Sequence, residues 1–155
     1  MEKTMELIEK FFNNLEWKYA YDSKKSIINT GINMGNALGN IDIYIKLRKS
    51  SYSVLVCLNN NVEKKYIQQV SEYLHRVNFG LNNGNFELDF EDGEIRYKTF
   101  VSFENIELSE DIIEDSILVP IAMFEKYGIN LLRLMLQEAD PKELADSAEN
   151  QSINE

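Results

Sequence analysis

From Phe86 to Phe103 the chain alternates with a period of two. Phe86, Leu88 and Phe90 take turns with Glu87, Asp89 and Glu91, which gives a ribbon with one apolar and one charged face. Asp92-Gly93 suits the two left-handed positions of a type I′ turn. A two-residue loop there sets Phe90 opposite Ile95, Leu88 opposite Tyr97 and Phe86 opposite Thr99. On the charged face it sets Asp89 opposite Arg96 and Glu87 opposite Lys98. The five pairs agree on one register, and a one-residue slip would break all of them. Only Glu91 opposite Glu94 conflicts, at the wet turn. A second hairpin is predicted over residues 41–58. Ile41, Ile43, Ile45 and Leu47 share a face, and a two-residue loop within Lys49-Ser50-Ser51 puts Tyr52, Val54, Val56 and Leu58 on the same side. Leu55 and Cys57 then point the other way. A short strand is expected over Trp17–Tyr21, a turn over Asp22–Lys25, and a further strand over 26–34.

Three stretches carry the helical period instead. Met5, Ile8, Phe11, Phe12 and Leu15 form one stripe in residues 1–16. Tyr66, Val70, Tyr73, Leu74 and Val77 form another within 62–79, with Ile67 at its margin. Ser109 is a candidate N-cap for a third helix, and Glu110 and Asp111 suit the positive end of its dipole. Run unbroken to about Glu138, that helix would be roughly 45 Å long. Pro120 supplies no N–H to Ser116 and Gly128 is a second weak point, so a bent helix or two joined segments is expected. Between Ile117 and Met135 the apolar residues cover more than one face. Deep burial explains such a surplus; so does a second protein lying on the spare face. On the second reading Ile117, Ile121, Phe124, Leu131 and Leu134 are the candidate partner-binding positions. Residues 140–155 are polar, acidic and without apolar period beyond a short turn over 141–145, and read as a mobile tail.

The fold class is therefore α+β. Residues 1–139 form a single domain, a twisted antiparallel sheet of about five strands packed by helices in the order α-β-β-β-α-β-β-α. A chain of 155 residues with 44% apolar content buries about two-thirds of its unfolded surface and needs no staple. The net charge of −10 repels a nucleic-acid backbone, and the basic spots Lys24-Lys25, Lys46-Arg48-Lys49 and Lys64-Lys65 are short and scattered. The N-terminal MEKTMELIEK shows no signal-peptide h-region. The longest apolar run, Ile117 to Phe124, is too short for a membrane span. With a single cysteine, Cys57, outside any CxxC pair, the expected address is the cytoplasm. The sequon Asn150-Gln151-Ser152 then carries no meaning.

Catalytic signatures do not emerge. His75 is the only histidine, with no metal-ligand spacing around it, and reads as structural. Cys57 reads as a small packing residue. The acidic row Glu87, Asp89 and Glu91 faces Arg96 and Lys98, so salt bridges on a wet sheet face account for it. A calcium loop over Asp89–Glu94 would place Leu88 and Phe90 at ligand positions, and fails. Gly31, Gly35 and Gly39 fall every fourth residue, which is neither a phosphate cradle nor a membrane packing motif; loop and bulge glycines explain them. No enzyme, no cofactor and no metal is expected.

Three pieces of the second half carry a resemblance: Tyr73-Leu74-His75-Arg76-Val77-Asn78, Gly84-Asn85-Phe86-Glu87-Leu88-Asp89, and Asp92-Gly93-Glu94-Ile95. The acidic helix start Leu108-Ser109-Glu110-Asp111 follows, then Pro120 and Gly128. Over roughly 62–139 this resembles the YbjN domain family, proposed sensory transduction regulators whose fold is similar to that of type III secretion chaperones. The first half agrees in element order. The resemblance implies a small acidic protein that binds other proteins, with a homodimer as one form, and carries over no catalytic residues. The expected role is a protein-binding, chaperone-like or regulatory module that takes neither nucleic acid nor membrane. The alternative is a small-ligand sensor with its pocket near Trp17, Tyr19 and Tyr21.

Overall fold

The computed structural model describes residues 2–151. Helix α1 (Glu2–Asn14) leads into a meander of four strands, β1 (Ala20–Asp22), β2 (Ile27–Asn33), β3 (Asn40–Leu47) and β4 (Ser51–Leu58). A 3-10 turn (Lys64–Tyr66) and α2 (Ile67–Phe79) cross to β5 (Asn85–Leu88), and β6 (Ile95–Ser102) returns beside β4. Helices α3 (Glu110–Leu136) and α4 (Pro141–Gln151) end the described chain. The sheet has six antiparallel strands in the order β1-β2-β3-β4-β6-β5. The strand count is six against the expected five or so, and the edge strand β1 lies slightly later than the Trp17–Tyr21 reading places it.

Alternation decides which side of the sheet turns inward. Ile41, Ile43, Ile45, Val54, Val56, Ile95 and Tyr97 are fully buried beneath α3, which crosses β4 and β6. Asp42, Lys46, Arg96 and Lys98 stand on the outer face. Leu55 and Cys57 lie on that outer face too, as expected. Each is nevertheless buried, flanked by Tyr44 and Lys98 in one case and by Asp42 and Arg96 in the other. The β3–β4 hairpin closes as expected. Leu47 faces Tyr52, Arg48 N–H donates to Ser51 at 2.9 Å, and Lys49-Ser50 is the two-residue loop.

The β5–β6 hairpin keeps its faces and changes its register. Phe86 faces Tyr97, Glu87 faces Arg96 and Leu88 faces Ile95, two residues away from the sequence expectation. A shift of two preserves every side chain's face, so alternation is blind to it. The tip chemistry makes the choice. Asp89 N–H bonds to the Glu94 carbonyl at 2.9 Å, leaving four residues in the loop. The Asp89 carboxylate accepts from the Glu91 N–H at 2.8 Å, an Asx turn that a two-residue loop has no room for. The Gly93 carbonyl accepts from Val62 N–H at 2.9 Å. Gly93 has φ +79°, and any Cβ there would collide with the Val62 backbone. Phe90, expected in the core opposite Ile95, is 57% exposed at the loop instead.

Helix α3 is unbroken from Glu110 to Leu136. Ser109 caps it, its hydroxyl accepting from Ile112 N–H at 3.3 Å. The expected weak point at Pro120 is compensated from the sheet. Pro120 leaves the Ser116 carbonyl without its helical donor, and the Thr99 hydroxyl of β6 donates to that carbonyl at 2.7 Å. Gly128 sits inside the helix against Leu38, whose Cδ1 lies 2.6 Å from where a Cβ would be. Gly31, read as a loop or bulge glycine, lies within β2.

The expected tail is a helix up to Gln151, with residues 152–155 outside the described chain. Helix α4 packs against α2 and α3, burying Ala145 and Ala148. Asn130 donates to the Leu144 carbonyl at 3.0 Å and to the Ser147 hydroxyl at 3.2 Å. Lys126 pairs with Glu149 at 3.1 Å. Asp140 caps the new helix by accepting from the Lys142 and Glu143 N–H groups. Its buried side chains are alanines, too small to raise an apolar period above the polar background.

Candidate functional site

The five candidate partner-binding residues do not form a surface. Ile117, Phe124, Leu131 and Leu134 are fully buried and Ile121 is 8% exposed. The surplus of apolar positions on α3 is consumed within the chain. One side meets the sheet, and α1, α2 and α4 take the others. Phe124 stands edge-on to Phe86 at 5.3 Å, and Phe86 edge-on to Tyr97 at 4.8 Å. Helix α4 lies where a second protein was one of two expectations.

The space near Trp17 and Tyr19 is likewise filled. Trp17 stacks on Phe12 at 5.9 Å, and the Tyr19 ring is 5.3 Å from Phe12. Tyr21 does line a shallow groove of about 400 Å³ with Met5, Glu6 and Leu47. His75 is exposed on α2. Cys57 is buried and unpaired, and burial, with Glu94 and Asp42 nearby, pushes its thiol up to about 11. Among the described residues no three His, Cys, Asp or Glu side chains stand together as a metal site.

Two stretches of sheet edge stay open among the described residues: the end of β2 beyond β1, at residues 30–33, and the second half of β6, which alone of the two borders α3. The direction of each peptide group follows from three hydrogen bonds. Phe103 N–H donates to Ser50 at 2.9 Å, so Tyr97, Thr99, Val101 and Phe103 turn their N–H and C=O groups to β4. Asp89 N–H donates to Glu94 at 2.9 Å, so Glu94, Arg96 and Lys98 turn theirs to β5. The same alternation points the N–H and C=O of Phe100 and Ser102 to that side. But β5 begins at Asn85 opposite Lys98, and nothing among the described residues pairs with Phe100 or Ser102 there. Gly84 is where the chain leaves. Its φ is +81°, and a Cβ would stand 2.5 Å from the Lys98 carbonyl oxygen.

Below this edge a groove of about 330 Å³ runs between β6 and the first turns of α3, lined among others by Asn83, Phe100, Ser102, Ile112 and Asp115. Its floor is fixed. Tyr52 and Ser116 share a hydroxyl hydrogen bond at 2.9 Å, and Ser116 in turn donates to the Ile113 carbonyl at 2.8 Å. The Phe100 ring is 61% exposed on the outer face. Beside it the charges are settled: Glu87 takes Arg96 at 2.7 Å and pairs with Lys98. Partial burial alone would raise the Glu87 carboxyl, but the hydrogen bonds from Lys98 and Arg96 outweigh it and hold the pKa below the ordinary carboxylate value. The sequence signal for the open edge was weak: Gly84 marks the departure, but its conformation is not written in the alternation.

A one-sided, six-stranded antiparallel sheet under a long central helix defines an α+β class of small domain. Among solved structures this chain is similar to the crystal structure of YbjN from E. coli, described as a proposed transcription regulator. The TM-score is 0.52 at 10% identity, over 95% of this chain and 93% of that one. The fold is YbjN-like. No family model matches the chain, and no curated protein matches it.

Proposed function

We propose that this protein is a non-enzymatic module that binds another protein, in a regulatory or chaperone-like role, in the cytoplasm. One observation carries the reading: a sheet edge where the N–H and C=O of both Phe100 and Ser102 are unpaired, beside the exposed Phe100 ring and above a groove. Unpaired strand edges are aggregation hazards unless covered or short, and they are a recurrent mode of peptide capture. The YbjN-like fold is consistent with a regulatory module. The buried, unpaired Cys57 suits a reducing compartment. No helix in the described residues is long and apolar enough to cross a membrane. The small-ligand reading is the second choice: aromatic rings fill the space near Trp17 and Tyr19, which leaves it the shallow groove beside Tyr21. Multi-angle light scattering combined with affinity capture at stepped salt tests the proposal. It predicts either self-association or retention of a defined protein. A strict monomer that retains nothing at any salt contradicts it.

A further inference from the structure

We infer that the open half of β6 takes an extended, lysine- or arginine-bearing segment of a partner protein as a seventh strand, antiparallel to β6 and in line with β5. The inference rests on the protein-binding reading above and names the partner's chemistry. Its first support is backbone geometry. Phe100 and Ser102 each offer one N–H and one C=O in the plane of the sheet, which is the pattern an added antiparallel strand completes. Its second support is where side chains would go. A partner residue opposite Phe100 points to the outer face, beside the exposed ring. Residues opposite Thr99 and Val101 point the other way, over Ile112 and Asp115 of α3.

Charge selects the occupant. Asp115 is exposed, it lines the groove, and Asp111 lies one turn before it on the same helix face. Neither carboxylate has an ion-pair partner among the described residues, while the nearby cation Lys98 is already held by Glu87. The chain as a whole carries −10. A basic strand finds free carboxylates here; a second copy of this acidic chain would bring Asp115 toward Asp115 and add charge repulsion.

The probe is a fluorescein-labelled hexapeptide of alternating lysine and valine, acetylated and amidated, titrated into the full chain by anisotropy. With valines opposite Phe100 and Ser102, the valine amides face β6 and the lysine amides face away. N-methylation of the valines is expected to weaken binding at least tenfold, and N-methylation of the lysines to leave it within about twofold. D115K is expected to abolish binding of the basic peptide. F100P removes the edge donor without touching the β4 ladder and is expected to weaken binding as valine methylation does. Circular dichroism confirms that each variant is folded, and D115K keeps the test alive if F100P is not. Equal loss from both methylated peptides, or no binding by any, overturns the inference. A dimer in sedimentation that F100P dissolves overturns it too, because the edge would then belong to a second copy. A partner captured equally well by D115K and F100P sinks the edge assignment while the protein-binding reading stands.

Discussion

The two halves of β6 are continuous in sequence and differ in company. Residues 96–98 have β4 on one side and β5 on the other, and Phe86 of β5 stands edge-on to Tyr97 and is itself met edge-on by Phe124 and Tyr127. Residues 99–102 have β4 alone. Their anchor is polar: Thr99 is tied to Ser116, whose carbonyl Pro120 deprives of its helical donor. The first half is therefore closed by packing and the second is held in place while one edge stays open. The β4 ladder and the Thr99–Ser116 hydrogen bond hold this half of the strand from one side and from below, while its other edge stays unpaired.

The largest effect is expected where the closed half is roofed. Phe124→Ala should cost about 3–5 kcal/mol in chemical unfolding. A loss under about 1 kcal/mol, coupled to lost partner binding, would instead return Phe124 to the surface role that the apolar surplus on α3 allowed. Next comes a paired substitution. Lys98→Pro deletes a bond to β5 and should cost about 3 kcal/mol, whereas Phe100→Pro deletes none and should cost about 1 kcal/mol or less. Equal costs would mean the two halves are paired alike.

Thr99→Val should cost about 1–3 kcal/mol by orphaning a buried carbonyl. In a Pro120→Ala background the helix recovers its own donor, so the cost of Thr99→Val should shrink, a coupling readable in a double-mutant cycle. Additive losses would separate Thr99 from Pro120. The smallest effect concerns pH. The Glu87 carboxyl lies below its ordinary value of 4.5 in the folded state. Its contribution is thus fully present above the ordinary carboxylate range and lost as pH falls from about 4.5 through the lower folded value. Being partly solvated, the cluster is worth less than about 1 kcal/mol. Glu87→Gln should flatten the acid limb of the stability curve in that window and change little at neutral pH. An unchanged acid limb would remove the cluster from the account.

Much of this is legible in the sequence alone. The inward and outward faces of β3, β4, β5 and β6 follow from alternation, and the stripes of α1 and α2 from helical spacing. Ser109 was readable as a cap because Ser before Glu110-Asp111 has a local mechanism. The β5–β6 register was not readable, because a two-residue shift leaves every face intact and the deciding bonds come from the Asp89 side chain and from Val62, distant in sequence. Helix α4 was not readable because Ala145 and Ala148 bury little area and its neighbours are charged. Without α4 in view, the apolar surplus on α3 reads equally as deep burial or as a spare face at Ile117, Ile121, Phe124, Leu131 and Leu134, and burial is what the fold shows. The site was legible only as a general expectation that a free edge could bind, since the edge exists through Gly84 turning the chain away.

Native-state hydrogen exchange on the amides of Arg96, Lys98, Phe100 and Ser102 tests the open edge most directly. The account predicts that Arg96 and Lys98 are protected while Phe100 and Ser102 exchange about two orders of magnitude faster, with Thr99 and Val101 between them protected through β4. Four equally protected amides would mean that β6 is paired along its whole length, and the docking edge would not exist.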